Sequence, residues 1–208
     1  MAKPKVKTVS FKPAHDGQKE VSRVWKDSKC LFILGPAGTG KTHVAIANAM
    51  IDVLKGTATK VFLARPAVEI EESLGFVKGN LAEKLGTWMG PFGDVLDEMS
   101  GTKLEDWTDV IELVPVGRLG GRTIRDGTLI VDEAQNCTYR QLKCILTRVG
   151  KTGRVVLSGD YEQSELHNCP LRQVASLVSQ VDGCQSVTFT NEQNLRDPFV
   201  SDVLRVMP

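Results

Sequence analysis

The chain has 208 residues, a formal net charge of +1, 41% hydrophobic and 25% charged residues. That length suits one well-buried domain rather than two, and the balance is that of an ordinary soluble globular protein. No apolar run approaches the ~20 residues needed to span a bilayer, and a near-neutral surface has no overall pull toward nucleic acid or membrane.

The chain opens on a lysine-bearing stretch. Met1 to Lys12 carries Lys3, Lys5, Lys7 and Lys12 and no acid. No apolar segment follows, so it does not read as a secretory signal. We take residues 1–17 as a basic arm on a single domain spanning 1–208. The cysteines, Cys30, Cys137, Cys144, Cys169 and Cys184, are odd in number and form no CxxC pair. They point away from a disulfide framework or zinc site and toward a reducing cytoplasm. His15, His43 and His167 are scattered and read as ordinary surface or core histidines.

His15-Asp16-Gly17-Gln18 precedes the first strand. A glutamine side chain donates and accepts at once and can pair with adenine, although a lone Gln is more often a surface residue. Cys30 to Leu34 is a short apolar run and reads as a buried strand. Directly after it comes Gly35-Pro36-Ala37-Gly38-Thr39-Gly40-Lys41-Thr42, a full match to G-x-x-x-x-G-K-[ST]. His43 to Leu54 reads as a helix, so the motif lies between a strand and a helix, as phosphate binding requires. Its glycines let backbone N–H groups curl around phosphates. The helix N-terminus adds partial positive charge. Lys41 is placed for the β- and γ-phosphates, and Thr42 for magnesium. The ligand class is a nucleoside triphosphate, ATP with Mg2+.

Lys60 to Ala64 reads as the next strand. Ser73 to Ser100 is mostly helical in pattern, with a break at Gly90-Pro91. Val110 to Val116 and Thr128 to Val131 read as strands. The second ends in Asp132-Glu133, where one carboxylate can hold magnesium and the next can take a proton from attacking water. The alternative for Glu133 is a helix-start charge favoured by the dipole. Thr138 to Arg148 reads as a helix with Thr138 as its N-cap. Arg154 to Leu157 is a strand, followed by Ser158-Gly159-Asp160 and Gln163. There Asp160 orders the loop, and Gln163 either contacts the γ-phosphate or water, or belongs to simple turn chemistry. Leu171 to Val178 is a helix, Ser186 to Phe189 a strand and Pro198 to Val206 a final helix.

Short apolar strands alternating with helices predict an α/β fold with a mostly parallel central sheet covered on both faces. Ligands in such sheets bind beyond the carboxyl ends of the strands, so the motifs above should gather at one edge. Phosphoryl transfer also takes a cation from outside the P-loop. Arg65, Arg122, Arg148 and Arg196 are candidates that spacing cannot separate, and for each a surface salt bridge is the plain alternative.

GPAGTGKT, Arg65-Pro66-Ala67-Val68-Glu69 with Leu74-Gly75-Phe76, Gly121-Arg122-Thr123, Asp132-Glu133-Ala134-Gln135-Asn136, Leu146-Thr147-Arg148-Val149-Gly150 and Ser158-Gly159-Asp160 follow one another in the order and spacing of a known family. The chain resembles the PhoH-like family of phosphate-starvation-inducible ATPases from about Gln18 to Val206. The resemblance implies a three-layer RecA-like P-loop core similar to the first motor domain of superfamily 1 helicases. It implies Gln18 as an adenine contact, Gln163 as a γ-phosphate contact and Arg65 in a segment that can face single-stranded nucleic acid. Near the end, where relatives often read Val-Val-Arg-His, this chain has Asn194-Leu195-Arg196-Asp197, which keeps Arg196 among changed neighbours. Such a compact form would suit a bacteriophage or minimal bacterial protein.

Helicases of that kind place ATP between two RecA-like domains, the second supplying arginines. A single domain is therefore expected to form a homo-oligomer, a ring and plausibly a hexamer, in which a neighbour gives an arginine in trans. The catalytic set expected is Lys41, Asp132, Glu133, Gln163 and Arg196. The function expected is Mg-dependent ATP hydrolysis coupled to RNA or DNA remodelling. A nucleotide-dependent switch acting on proteins is the alternative, and a small-molecule kinase a weaker one. The cytoplasm of a bacterial cell, or of the host for a phage-encoded chain, is the expected location.

Overall fold

The computed structural model describes residues 8–66, 90–101, 104–164, 166, 169–197 and the separate positions 199, 202 and 206. Helix α1 spans Asp16–Val24 and β1 spans Cys30–Leu34. Next come α2 (Lys41–Lys55), β2 (Lys60–Ala64) and α3 (Gly90–Ser100). Strands β3 (Ile111–Leu113) and β4 (Gly127–Val131) precede α4 (Tyr139–Leu146). Strand β5 (Arg154–Gly159), α5 (Pro170–Val178) and β6 (Cys184–Thr188) complete the described elements.

The strands form one sheet in the order β3-β2-β4-β5-β1-β6, and every pairing is parallel. Successive residues on a strand face opposite sides of a sheet, and the central strands are apolar on both. Leu31 and Ile33 of β1, Leu63 of β2 and Val156 of β5 pack with Val21 of α1, Ala45 and Met50 of α2 and Phe92 of α3. Cys30, Phe32 and Leu34 of β1, with Leu129 and Val131 of β4, pack against Leu142 of α4 and Leu171 of α5. The result is the expected three-layer RecA-like α/β arrangement, with helices on both faces. All five residues of β1 are buried. A fully buried Leu or Ile contributes about 1.5–3 kcal/mol, so β1 and its neighbours anchor the sheet.

Several boundaries move for physical reasons. Helix α2 starts at Lys41, two positions before the periodicity suggests, because Gly40 sits at φ 74° and lets the chain turn straight from the loop into the helix. Gly90 and Pro91 stand at the start of α3 as described, where a proline in the first turn lacks only an N–H that would be unbonded there. The predicted helical stretch before Gly90, the motif residues Ala67, Val68, Glu69, Leu74, Gly75 and Phe76, Lys3, Lys5, Lys7, His167 and most of the predicted Pro198–Val206 helix lie outside the described residues. Strand β3 is shorter than predicted, and Pro115 precedes a 3-10 turn over Val116–Arg118. Strand β5 runs on to Gly159, which pairs with Leu34. Strand β6 starts and ends earlier than predicted, at Cys184 and Thr188.

Helix α1 is an addition to the sequence reading. Its buried face, Gly17, Gln18, Val21 and Val24, has helical spacing, but half of it is not apolar. It packs on α2 and lies beside the P-loop: Asn48 of α2 donates to Ser22 at 3.1 Å.

Candidate functional site

Strands β1, β4 and β5 end side by side, and each delivers a loop to the same edge. Strand β5 lies between β1 and β4, with Leu34 opposite Gly159 and Val131 opposite Leu157. The loop after β1 is the glycine-rich motif, the loop after β4 begins with Asp132, and the loop after β5 begins with Asp160. Together they line a cavity of about 240 Å³ bordered by Lys41, Thr42, Asp132, Glu133, Gln163 and both Arg65 and Arg196.

Each carbonyl of the glycine-rich loop finds a donor. Lys41 Nζ donates to Gly35 O at 2.7 Å and Pro36 O at 2.8 Å. Asn194 Nδ2 donates to Ala37 O at 3.2 Å, and the Leu195 N–H to Gly38 O at 2.9 Å. His15 Nε2 lies 3.0 Å from Thr39 O. Gln18 Nε2 makes long contacts to Thr39 O at 3.4 Å and Gly40 O at 3.5 Å. Ala37 is tied across the site, its N–H donating to Asp160 Oδ2 at 3.1 Å. Gly35 has φ 132° and packs so closely that a Cβ there would stand 2.5 Å from Phe189 O. Only glycine meets both demands.

The two central groups meet directly. Thr42 Oγ1 donates to Asp132 Oδ1 at 2.6 Å. Asp132 is 3% exposed, and its other oxygen accepts from Arg65 Nη2 at 2.7 Å and Nε at 3.2 Å. Glu133 stands next to it with φ 52° and ψ 39°, a left-handed conformation rare for a side chain of this kind. Its carboxylate accepts from Gln135 Nε2 at 2.6 Å. Gln135 in turn accepts through Oε1 from the Asp160 N–H at 3.0 Å, so one buried side chain joins the β4 and β5 loops.

Burial raises the Glu133 carboxyl above its ordinary range, with the Asp132 charge adding to the effect and the Gln135 hydrogen bond opposing it. Burial lowers the Lys41 ammonium, opposed by the charges of Asp160, Glu133 and Asp132. A carboxylate pushed up beside a cation pushed down is the pattern of a functional cleft.

The donor set fits a triphosphate with magnesium. Thr42 and Asp132 supply hard oxygens, which magnesium prefers, and magnesium takes one or two protein groups and completes its shell from phosphate and water. Among the described residues no group of three or more His, Cys, Asp or Glu side chains could hold a metal alone. Ser158, on β5 and fully buried at the cavity wall, has a hydroxyl with no hydrogen-bond partner among the described residues. A buried hydroxyl left that way costs about 1–3 kcal/mol, a cost that a ligand in this cavity would relieve.

Of the four candidate arginines, the structure brings Arg65 and Arg196 to the cavity. Arg122 pairs with Glu112 at 2.6 Å, and Arg148 donates to Cys144 O at 3.2 Å, both away from it. Gln18 is 2% exposed and lines a second recess of about 410 Å³ beside the loop, with Phe11, His43 and Leu195. Its Oε1 accepts from the Ala14 N–H at 2.9 Å. The supporting roles of Gln135, Asn194 and Ser158 were not read from the sequence. Gln135 belongs to a quoted motif, but its partners come from separate strands.

A family model described as "PhoH-like protein" matches residues 10–208. The PhoH-like protein of Bacillus subtilis (strain 168) is 34% identical over 197 residues, 90% of this chain and 61% of that protein. The PhoH-like protein of Mycobacterium leprae (strain TN) is 41% identical over 136 residues, 64% of this chain and 39% of its own length. Protein PhoH of Escherichia coli (strain K12) is 30% identical over 168 residues, 78% of this chain and 48% of that protein. The chain thus spans about two fifths to three fifths of these relatives. Among solved structures, the Phi-28 gp11 DNA packaging motor aligns at TM-score 0.47 and 17% identity, over 89% of this chain and 64% of that one.

Proposed function

Because this chain belongs to the PhoH-like family, we propose that it binds ATP with magnesium and hydrolyses it at the cavity between the β1, β4 and β5 loops. The observation that carries the reading is the 2.6 Å bond from Thr42 to Asp132, with Lys41 in the same cavity.

The glycine-rich loop holds the phosphates through backbone N–H groups around Gly38 to Thr42 and the α2 N-terminus. Lys41 exchanges its two carbonyl bonds for phosphate oxygens. Thr42 and Asp132 would hold the metal, which would supply positive charge to the phosphate groups. Glu133 accepts a proton from the attacking water, its carboxylate made more basic by burial. Gln163 hydrogen-bonds the γ-phosphate or that water. Gln18 faces the base, and Arg196 adds charge at the open side of the loop.

We further propose that turnover is coupled to remodelling of single-stranded RNA or DNA, in a homo-oligomer whose neighbour closes the open side of the site, plausibly a hexameric ring. The cytoplasm is the proposed location. Among the described residues no helix is long and apolar enough to cross a membrane. Support for the nucleic-acid reading is the family resemblance and the basic start of the chain.

The test is nucleotide binding by fluorescence with and without Mg2+, then ATPase rate with and without single-stranded RNA or DNA. Wild type is expected to bind and Lys41→Ala to lose tight binding. Equal binding by the two proteins overturns the site. Stimulation by a polynucleotide that fades with salt supports the motor. No response to any polynucleotide favours a switch acting on proteins.

A further inference from the structure

Strands β2 and β4 are parallel neighbours with Ala64 opposite Val131. The chains therefore leave the sheet side by side at Arg65 and Asp132, and the Asp132 N–H donates to Ala64 O at 2.9 Å. Arg65 puts two donors on one oxygen, Asp132 Oδ2, at 2.7 and 3.2 Å. The pair is nearly dry, with side chains 12% and 4% exposed. Oδ1 is taken by Thr42. Both oxygens of the metal-type carboxylate are therefore engaged by the chain itself. Arg65 also stacks over Phe92, the guanidinium carbon 5.0 Å from the ring centroid.

A plain buried ion pair would account for the contact, but two features point further. Asp132 is the carboxylate that the Thr42 bond marks for magnesium, so a guanidinium and a divalent cation compete for the charge of one carboxylate. The guanidinium also borders the cavity that holds Lys41 and Glu133, so a turn of its side chain keeps it in the phosphate site. An arginine suits this task because it stays charged and presents a planar fork to phosphoryl oxygens.

We propose that Arg65 is a catalytic cation supplied by the chain itself, held on Asp132 in the arrangement described and turned to the transferred phosphoryl group when Asp132 takes the metal. This rests on the ATP-hydrolysis reading above. In the hydrolysis step the water oxygen bonds to the γ-phosphorus and its proton passes to Glu133. The bond to the bridging oxygen breaks, and ADP leaves with that electron pair. Arg65 donates to the equatorial phosphoryl oxygens as their charge grows. The cation that a neighbour was expected to give in trans is then already present in cis.

Two measurements on Arg65→Ala and Arg65→Lys separate this from a structural ion pair. The first is calorimetric titration of Mg2+ into protein saturated with ADP. The second is single-turnover ATP hydrolysis. Removing the competitor should tighten Mg2+ binding on the order of tenfold in Arg65→Ala, as for two ligands coupled through one site. Hydrolysis should fall on the order of 10³-fold, as when a phosphoryl-transfer arginine is lost. Arg65→Lys keeps the charge without the fork and should move both quantities the same way by less, so it serves if the alanine variant does not fold. Opposite movement of metal affinity and rate supports the proposal. Weakening of both, or no change in either, overturns it. Wild type that fails to bind Mg-ATP at all sinks the ATP reading instead, and is recognised before any variant is compared.

Discussion

Glu133 holds a backbone conformation that costs on the order of 1–3 kcal/mol for a non-glycine residue, and the surroundings keep it there. Asp132 before it is bonded to Thr42 and Arg65, and Gln135 after it returns a hydrogen bond to its carboxylate. The turn aims two adjacent carboxylates at one cavity, where a regular strand would send them to opposite faces. Glu133→Gln should keep nucleotide binding and slow hydrolysis on the order of a hundredfold or more, the worth of a general base. Single-turnover assays check this, and an unchanged rate removes Glu133 from the base's role. Away from the site, burial pushes the Cys137 thiol up to about 12. A pKa raised on folding adds stability that is complete below the ordinary thiol value of roughly 8.5 and is lost as pH rises above it. The melting temperature should therefore decline from about pH 9 upward, by less in Cys137→Ala, in scans across that range. Equal declines in the two proteins would place the loss elsewhere.

At the scale of elements, local signals and tertiary ones divide cleanly. The loop from Gly35 to Thr42 was legible because its glycines, lysine and threonine act together within eight consecutive positions. The cap of α4 was legible for a similar reason: Thr138 Oγ1 accepts from the Gln141 N–H at 3.3 Å, and Gln141 Oε1 accepts from the Thr138 N–H at 2.7 Å. Thr138→Ala should cost about 0.5–2 kcal/mol, read from the urea midpoint, and an unmoved midpoint would show that the cap carries no stability. Helix α1 was not legible, because its buried face includes Gly17 and Gln18 and a hydrophobic pattern cannot register them. The helix matters to the site all the same. Its start places His15 and Gln18 against the carbonyls of Thr39 and Gly40, a placement that depends on α1 packing on α2.

At the scale of the molecule, the strand order decides the chemistry. Placing β5 between β1 and β4 leaves Ser158 at the floor of the cavity and lets Asp160 and Gln135 brace the phosphate loop and the carboxylates together. The same order puts β2 beside β4, which sets Arg65 on Asp132. The homo-oligomer proposed above is tested at this scale. Mass in solution, measured with and without ATP, should show an assembly larger than one chain, and a strict monomer with full turnover would end that expectation.

Short-range constraints were enough to read the strand–loop–helix glycine motif, the paired carboxylates after β4, the parallel sheet and most of the described helices, since each depends on residues close in the chain. Which arginine enters the site, what braces Glu133 and which hydroxyl waits for a partner depended on strand order and register. Those pairings join residues as far apart as Thr42 and Asp132, and local pattern carries no information about them until the sheet has assembled.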